Sequence, residues 1–75
     1  MNKQRRIRLG ESCSLLEQAL RIVTTVRDQE QDALDNFPEN LQNSERCTTM
    51  EHAIDELEEA IENIEQAAES INNAY

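Results

Sequence analysis

Residues 47–75 read CTTMEHAIDELEEAIENIEQAAESINNAY, and this stretch decides the fold. Its apolar side chains recur at alternating steps of three and four residues without a break, which is the heptad pattern of a helix packed on a partner helix. With Cys47 at heptad position a, the a and d positions are Cys47, Met50, Ile54, Leu57, Ile61, Ile64, Ala68, Ile71 and Tyr75. The stretch therefore predicts one long helix with a single apolar seam.

Alanine lies beside this seam at every g position. A simple two-stranded coiled coil more often carries Glu or Lys there, whereas a small residue lets a further helix approach closely. The pattern favours a bundle whose helices bury three positions per heptad. The g positions are Ala53, Ala60, Ala67 and Ala74.

The first half of the chain predicts a second, less regular helix. Its seam meets two charged residues, Arg27 and Glu30, which either form a buried pair that sets the register or mark a point where the helix turns another face inward. The remaining seam positions are Leu9, Cys13, Leu16, Leu20, Val23, Leu34 and Phe37. A second stripe runs alongside through Ser12, Leu15, Ala19, Ile22, Val26 and Ala33.

Residues 35–45, DNFPENLQNSE, lie between the two helices. Pro38 disfavours helical geometry at Phe37, and either Asn43 or Ser44 is suited to cap the next helix. We expect one all-α domain over residues 1–75, with helix 1 over about 3–36, a loop over about 37–43 and helix 2 over about 44–73. Matched lengths and a short loop predict an antiparallel hairpin, with Phe37 and Leu41 folded over its end.

A hairpin of this size has little apolar surface to bury, and one partner helix cannot cover both stripes of helix 1. We therefore expect the hairpin to dimerise into a four-helix bundle. The expected interface consists of Leu15, Ala19, Ile22, Val26, Ala53, Ala60 and Ala67.

The net charge of −9 lies entirely on the second half, because residues 38–75 carry ten acidic groups and one basic group, Arg46. Such a surface repels nucleic acid and anionic membranes, so direct binding to DNA or to a membrane is not expected. The chain contains no signal-peptide core and no long apolar run, which predicts a cytoplasmic protein of a bacterial host.

Two charged features are candidate partner-binding sites. The first, here called the acid ladder, places carboxylates on one face of helix 2 at Glu51, Asp55, Glu58, Glu62, Glu65 and Glu69. It is either a solvated helix face or a mimic of a phosphate backbone. The second, the basic end, consists of Lys3, Arg5, Arg6 and Arg8. We expect the basic end to lie near Glu65 and Glu69 in the hairpin and to offset their repulsion.

No residues suggest catalysis or a cofactor. Cys13 and Cys47 fall far apart along the hairpin, beyond the reach of a disulfide, and are expected to be buried free thiols. His52 is the only histidine and lies at an outward f position, so a di-metal site of the bundle type is not expected.

The loop sequence at residues 35–46, followed by Met50-Glu51 and the Ala-Ile-Asp-Glu-Leu-Glu-Glu repeat, resembles small uncharacterised proteins of phages, prophages and mobile elements over residues 35–68. The resemblance implies a mobile-element context and no activity. Small acidic phage proteins often inhibit host or defence machinery, and the resemblance implies such a role by association only.

The sequence thus predicts a non-enzymatic interaction module, an inhibitor or adaptor that binds a host or defence protein through the acid ladder and the Phe37–Leu41 loop. Two alternatives stay open. One is a self-assembling structural bundle. The other is an oligomeric sponge that holds an anionic nucleotide at Arg5, Arg6 and Arg8.

Overall fold

The computed structural model describes residues 1–41 and 44–75. Helix α1 spans Lys3–Asp35 and helix α2 spans Glu45–Ala74, with a short 3₁₀ turn at Glu39–Leu41 between them. The two helices pack against each other as an antiparallel hairpin, so the predicted all-α hairpin is confirmed. The sequence pattern predicted a loop here and did not predict the 3₁₀ turn within it.

Both helices begin at a side chain that caps the first turn. The Asn2 carboxamide oxygen accepts a hydrogen bond from the Arg5 backbone N–H at 2.9 Å. The Ser44 hydroxyl accepts one from the Cys47 backbone N–H at 3.2 Å, and Glu45 follows with a carboxylate at the positive end of the helix dipole. Ser44 is therefore the cap of α2, while the alternative candidate, Asn43, lies outside the described residues.

Pro38 explains why α1 ends where it does, because proline disfavours helical geometry at the residue before it. Asn36 ends the helix, and both its backbone N–H and its side-chain amide donate to the Asp32 carbonyl oxygen, at 3.1 and 2.9 Å. The chain then turns through the 3₁₀ segment, where the Leu41 N–H donates to the Pro38 carbonyl at 2.9 Å. These bonds satisfy backbone groups that the helix end leaves open.

Two contacts between the helices and one close approach define one register. A Cβ atom at Gly10 would lie 3.7 Å from the Tyr75 hydroxyl, the Cys13 thiol donates to the Asn72 carboxamide oxygen at 3.6 Å, and Arg27 contacts Glu58 at 3.4 Å. Each step forward along α1 is matched by an equal step back along α2. Because Gly10 lies level with Tyr75, residues 3–8 extend beyond the end of α2 by roughly 10 Å.

This register corrects one expectation about the basic end. Lys3, Arg5, Arg6 and Arg8 lie on the part of α1 that projects past Tyr75. They are therefore displaced along the axis from Glu65 and Glu69 and do not offset the repulsion there. The sequence-based expectation assumed a hairpin centred near residue 40, whereas the turn is centred two to three residues later, and that shift moves every pairing along α2.

The buried core is thin. Only Cys13, Cys47 and Ile54 are buried among the described residues, and most other seam positions are half-buried. The hairpin measures 60 × 14 × 13 Å, with a radius of gyration of 17.3 Å. A compact chain of this length would have a radius of gyration of about 11 Å. A rod two helices thick has no interior beyond its seam, so each helix keeps most of its circumference exposed.

Candidate interaction surfaces

The antiparallel pairing gives the hairpin two chemically different flanks. In α1 the heptad positions are counted from Cys13 at position a. Because the helices run in opposite directions, the g positions of both helices, with the c positions beside them, lie along one edge of the seam. The e positions of both, with the b positions beside them, lie along the other. The first edge carries the predicted interface residues, and we call it the apolar flank: Leu15, Ala19, Ile22, Val26, Ala53, Ala60 and Ala67. The second edge carries the acid ladder.

The apolar flank leaves large side chains in solvent. Leu15 is 63% exposed, Ile22 is 65% exposed and Val26 is 44% exposed. These three belong to the same helix and follow one another along its outward c and g positions. Such side chains are ordinary when scattered singly, but a contiguous row of them is typical of an interaction site.

The α2 side of the same flank consists of small residues. Ala53 and Ala60 are half-buried and Ala67 is exposed. Across residues 12–33 and 49–74, the only charged residue at a c or g position is Glu56. In a chain with 31% charged residues, this near absence of charge distinguishes the apolar flank from the rest of the surface.

All six carboxylates of the acid ladder are exposed, at e and b positions of α2. From Glu51 to Glu69 they cover roughly 27 Å along the axis at 1.5 Å per residue. The adjoining face of α1 adds Glu17 and Asp28, against a single exposed basic residue, Arg21. The ladder therefore forms one edge of a surface that is acidic across both helices.

Arg27 provides the one ion pair that reaches the ladder within the described residues. Its guanidinium contacts Glu58 at 3.4 Å and Asp28 at 2.9 Å. Its Nε atom is buried and finds no hydrogen-bond partner among residues 1–41 and 44–75. The pairing is thus partial, because one of the donors of Arg27 has lost water without gaining an acceptor.

This arrangement decides between the two readings of the charged residues in the α1 seam. Arg27 and Glu30 are both half-buried at seam positions, so α1 keeps the same face inward throughout. Arg27 pairs with Glu58 and Asp28, and its ion pairs do not include Glu30. The helix therefore does not turn another face inward, and Arg27 and Glu30 do not form a buried pair with each other.

The two cysteines are free and buried, as expected. Burial raises the pKa of the Cys47 thiol, and the neighbouring Glu51 carboxylate raises it further by charge repulsion and by accepting its hydrogen bond. A hydrogen bond with Cys13 raises the pKa of the Tyr75 hydroxyl, with burial and the Cys13 charge as smaller causes. A thiol with a raised pKa carries little thiolate near neutral pH, so Cys47 is suited to packing and not to nucleophilic chemistry.

The loop residues have unequal environments. Phe37 is half-buried at the end of the seam, whereas Leu41 is 45% exposed. Phe37 is therefore partly shielded from solvent and Leu41 is accessible, and their expected packing over the hairpin end stays a prediction. No structural observation assigns a partner to either residue.

Comparison of the chain with models of known protein families, with curated proteins and with solved structures gives no match. Within residues 1–41 and 44–75, no three His, Cys, Asp or Glu side chains are grouped so that they could hold a metal ion. No helix in that part of the chain is both long and apolar enough to span a bilayer.

Sequence reasoning identified the residues of both flanks but missed how they are arranged. The heptad assignment already contained the answer, because antiparallel helices bring g positions together and keep e positions apart from them. No sequence pattern predicts that the basic end extends past the end of α2, because this depends on the register between the helices, which the loop conformation sets.

Proposed function

We propose that this protein is a non-enzymatic interaction module that binds a cationic surface of another protein through the acid ladder. The observation that carries the proposal is the segregation of charge. Carboxylates line one edge of the seam for roughly 27 Å, while the opposite edge is almost free of charge. A surface organised in this way gives a partner a linear row of acceptors with a fixed spacing.

A groove that binds a nucleic acid strand is the kind of partner surface this row fits best. Carboxylates at successive i, i+3 and i+4 positions lie ~5–6 Å apart, close to the spacing of backbone phosphates. The helix holds them in place before binding, which lowers the entropy lost on association. The module would then act as an inhibitor or adaptor that occupies such a groove in a host or defence protein, which is the role implied by the resemblance of residues 35–68 to phage and mobile-element proteins.

The experiment is recovery of bound proteins from bacterial lysate, with the wild type compared with two matched double variants. Asp55→Lys with Glu62→Lys changes two ladder positions that point away from the seam. Glu11→Lys with Glu59→Lys makes the same change in net charge at outward f positions. We expect the ladder variant to lose a partner that the wild type and the control retain.

Two further measurements make the result specific. The captured partner should elute with rising salt and with added duplex DNA or RNA, because the interaction is electrostatic and occupies a phosphate-binding surface. Equal recovery of the partner by both double variants would contradict the proposal. Equal loss of the partner from both would also contradict it, because the binding would then depend on net charge and not on the acid ladder.

A structural role is the second candidate, because Leu15, Ile22 and Val26 expose a contiguous apolar row. A scaffold would build larger assemblies from copies of this hairpin. Sedimentation velocity separates the two, since a scaffold grows beyond a closed dimer with increasing concentration whereas an inhibitor module stays small.

A further inference from the structure

We infer that the apolar flank is the binding site for a second copy of this chain, and that the two hairpins pack antiparallel about a two-fold axis to form a four-helix bundle. The inference concerns the flank opposite the acid ladder and does not depend on the proposed function. Three observations support it: the exposed area, the chemistry of the flank and the distribution of charge along the hairpin.

The exposed area matches what a dimer would need to cover. The hairpin exposes 5863 Å². A compact monomer of the same mass would expose about 4,700 Å², so the hairpin carries an excess of about 1,100 Å². A standard protein interface buries about 800 Å² on each partner. One interface along the apolar flank is therefore enough to remove most of the excess.

A second copy supplies the surface that this flank requires. The flank is long, narrow and nearly uncharged, so its partner must present a straight apolar row of similar length. Leu15, Ile22 and Val26 project from α1, while the alanines of α2 leave space beside them. Two copies related by a two-fold axis place the projecting row of each against the other, which is a self-complementary arrangement.

The direction of packing follows from the two ends of the hairpin. The projecting end of α1 carries Lys3, Arg5, Arg6 and Arg8. The loop end carries Asp32, Asp35, Glu39 and Glu45, with Arg46 as an opposing charge. Parallel packing would place basic end beside basic end and acidic end beside acidic end. Antiparallel packing places each basic end beside the loop end of the other copy, so complementary charge selects the antiparallel arrangement.

The residue positions agree with this arrangement. If Leu15 of one copy lies level with Val26 of the other, the two-fold axis passes through the region of Ala19 and Ile22. Arg5 and Arg8 then come level with residues 33–36 of the second copy. Asp32 and Asp35 lie at the same level but occupy f and b positions, so they attract Arg5 and Arg8 from beside the flank and make no contact across it. Arg5 and Arg8 occupy the same c and g stripe as the apolar flank, so they face the interface.

Such a bundle has a consequence for partner binding. Both apolar flanks are buried at its centre, so the two acid ladders face outward on opposite sides. Each dimer would then present two identical acidic surfaces and could bind two partner molecules, or two sites of one symmetric partner.

The first test measures the mass of the chain in solution by sedimentation equilibrium at low micromolar to 200 µM concentrations. We expect twice the 8.7 kDa chain mass for the wild type. Ile22→Lys should shift the chain to monomer while circular dichroism stays helical, because this side chain is 65% exposed within the hairpin. Thr25→Lys, at an exposed outward position of the same helix, is the control and should remain dimeric. A helical wild-type monomer across the whole range would overturn the inference.

The second test decides the direction of packing. Arg5→Glu with Arg8→Glu should raise the dimer Kd by about three- to tenfold at low salt. Asp32→Lys with Asp35→Lys should raise it by a smaller factor, because these two residues lie beside the flank. A chain that carries all four changes should regain the wild-type Kd, since each altered end again meets an opposite charge. Added salt should remove these differences. A dimer whose Kd is unchanged or lowered by Arg5→Glu with Arg8→Glu would overturn the antiparallel arrangement, because in parallel packing these changes relieve the repulsion between two basic ends.

Both tests leave the acid ladder unchanged. Failure of the dimer therefore does not remove the proposed partner, and loss of a partner from the ladder variant does not change the mass of the chain. The two proposals can fail separately.

Discussion

The two helices have nearly the same length and share one seam, yet their apolar residues are distributed differently. In α2 they occupy a, d and g positions, and the rest of the surface is polar or acidic. In α1 the seam contains Arg27 and Glu30, while Leu15 and Ile22 lie at outward positions. Helix α2 is organised around its contact with α1. Helix α1 divides its apolar residues between that contact and a second surface, so the hairpin leaves Leu15, Ile22 and Val26 exposed.

The two helices therefore contain isoleucines of very different burial, and substitution can test what each one contacts. Ile54 in α2 is 4% exposed, whereas Ile22 in α1 is 65% exposed. The two residues are chemically identical and both lie in the interior of a long helix. Any difference in the effect of truncating them therefore reports the surface that each one contacts.

The largest effect is expected from Ile54→Ala. Truncation of a buried isoleucine loses transfer free energy and leaves a cavity, and we expect the free energy of unfolding to fall by about 2–4 kcal/mol. The matched variant Ile22→Ala should change it by less than ~1 kcal/mol in the monomer, because little of that side chain is shielded within one hairpin. Urea unfolding followed by circular dichroism measures both, at concentrations low enough to avoid association.

Increasing the concentration then sharpens the comparison. If Ile22 contacts a second copy, the cost of Ile22→Ala should grow with protein concentration while the additional cost of Ile54→Ala stays constant. Equal losses for the two variants in dilute solution would show that α1 already buries its outward row within the hairpin, contrary to the exposures found here.

The contrast between the helices also explains how far the sequence could be interpreted. The unbroken heptad of residues 47–75 was sufficient to predict a long helix, its seam and the hairpin, because apolar periodicity depends only on helix geometry. Ser44 could be named as one of two caps for the same local reason. The placement of Lys3, Arg5, Arg6 and Arg8 could not be predicted, since it is set by the loop and by packing between residues far apart in the chain.

Arg27 shows the same limit at a single residue. The heptad placed it on the seam but could not say whether the seam continued there. The structure answers this question through the contact of Arg27 with Glu58, which lies on the other helix. A charged side chain on a seam is compatible with burial, partial burial or a change of helix face, and only the tertiary register distinguishes these states.

An intermediate effect is expected from Arg27→Leu, which would make the α1 seam resemble that of α2. The substitution removes a buried Nε without a partner among the described residues and adds apolar surface against α2. We expect the free energy of unfolding to rise by about 1–2 kcal/mol, since leucine at this half-buried position adds apolar contact with α2 and removes the unsatisfied Nε. The urea midpoint measures the gain.

Arg21→Leu, at an exposed position of the same helix, is the control and should stay within ~0.5 kcal/mol of the wild type. A less stable Arg27→Leu chain would show that the contacts with Glu58 and Asp28 outweigh the cost of burying the guanidinium.

The smallest effect is expected from Gly10→Ala, which removes another difference between the helices, because α2 contains no glycine. Glycine in a helix interior is about 0.8–1.0 kcal/mol less favourable than alanine. The added Cβ would lie 3.7 Å from the Tyr75 hydroxyl, an ordinary van der Waals distance, so no clash opposes the gain. We expect the melting temperature to rise by about 3–7 °C for a gain just below 1 kcal/mol in a chain of this length.

Gly10→Ala combined with Tyr75→Phe tests the local contact, because the gain should be the same with either aromatic residue if the Cβ atom and the hydroxyl do not conflict. A gain that appears only with Tyr75→Phe would show that α1 requires glycine at this position to let the end of α2 approach.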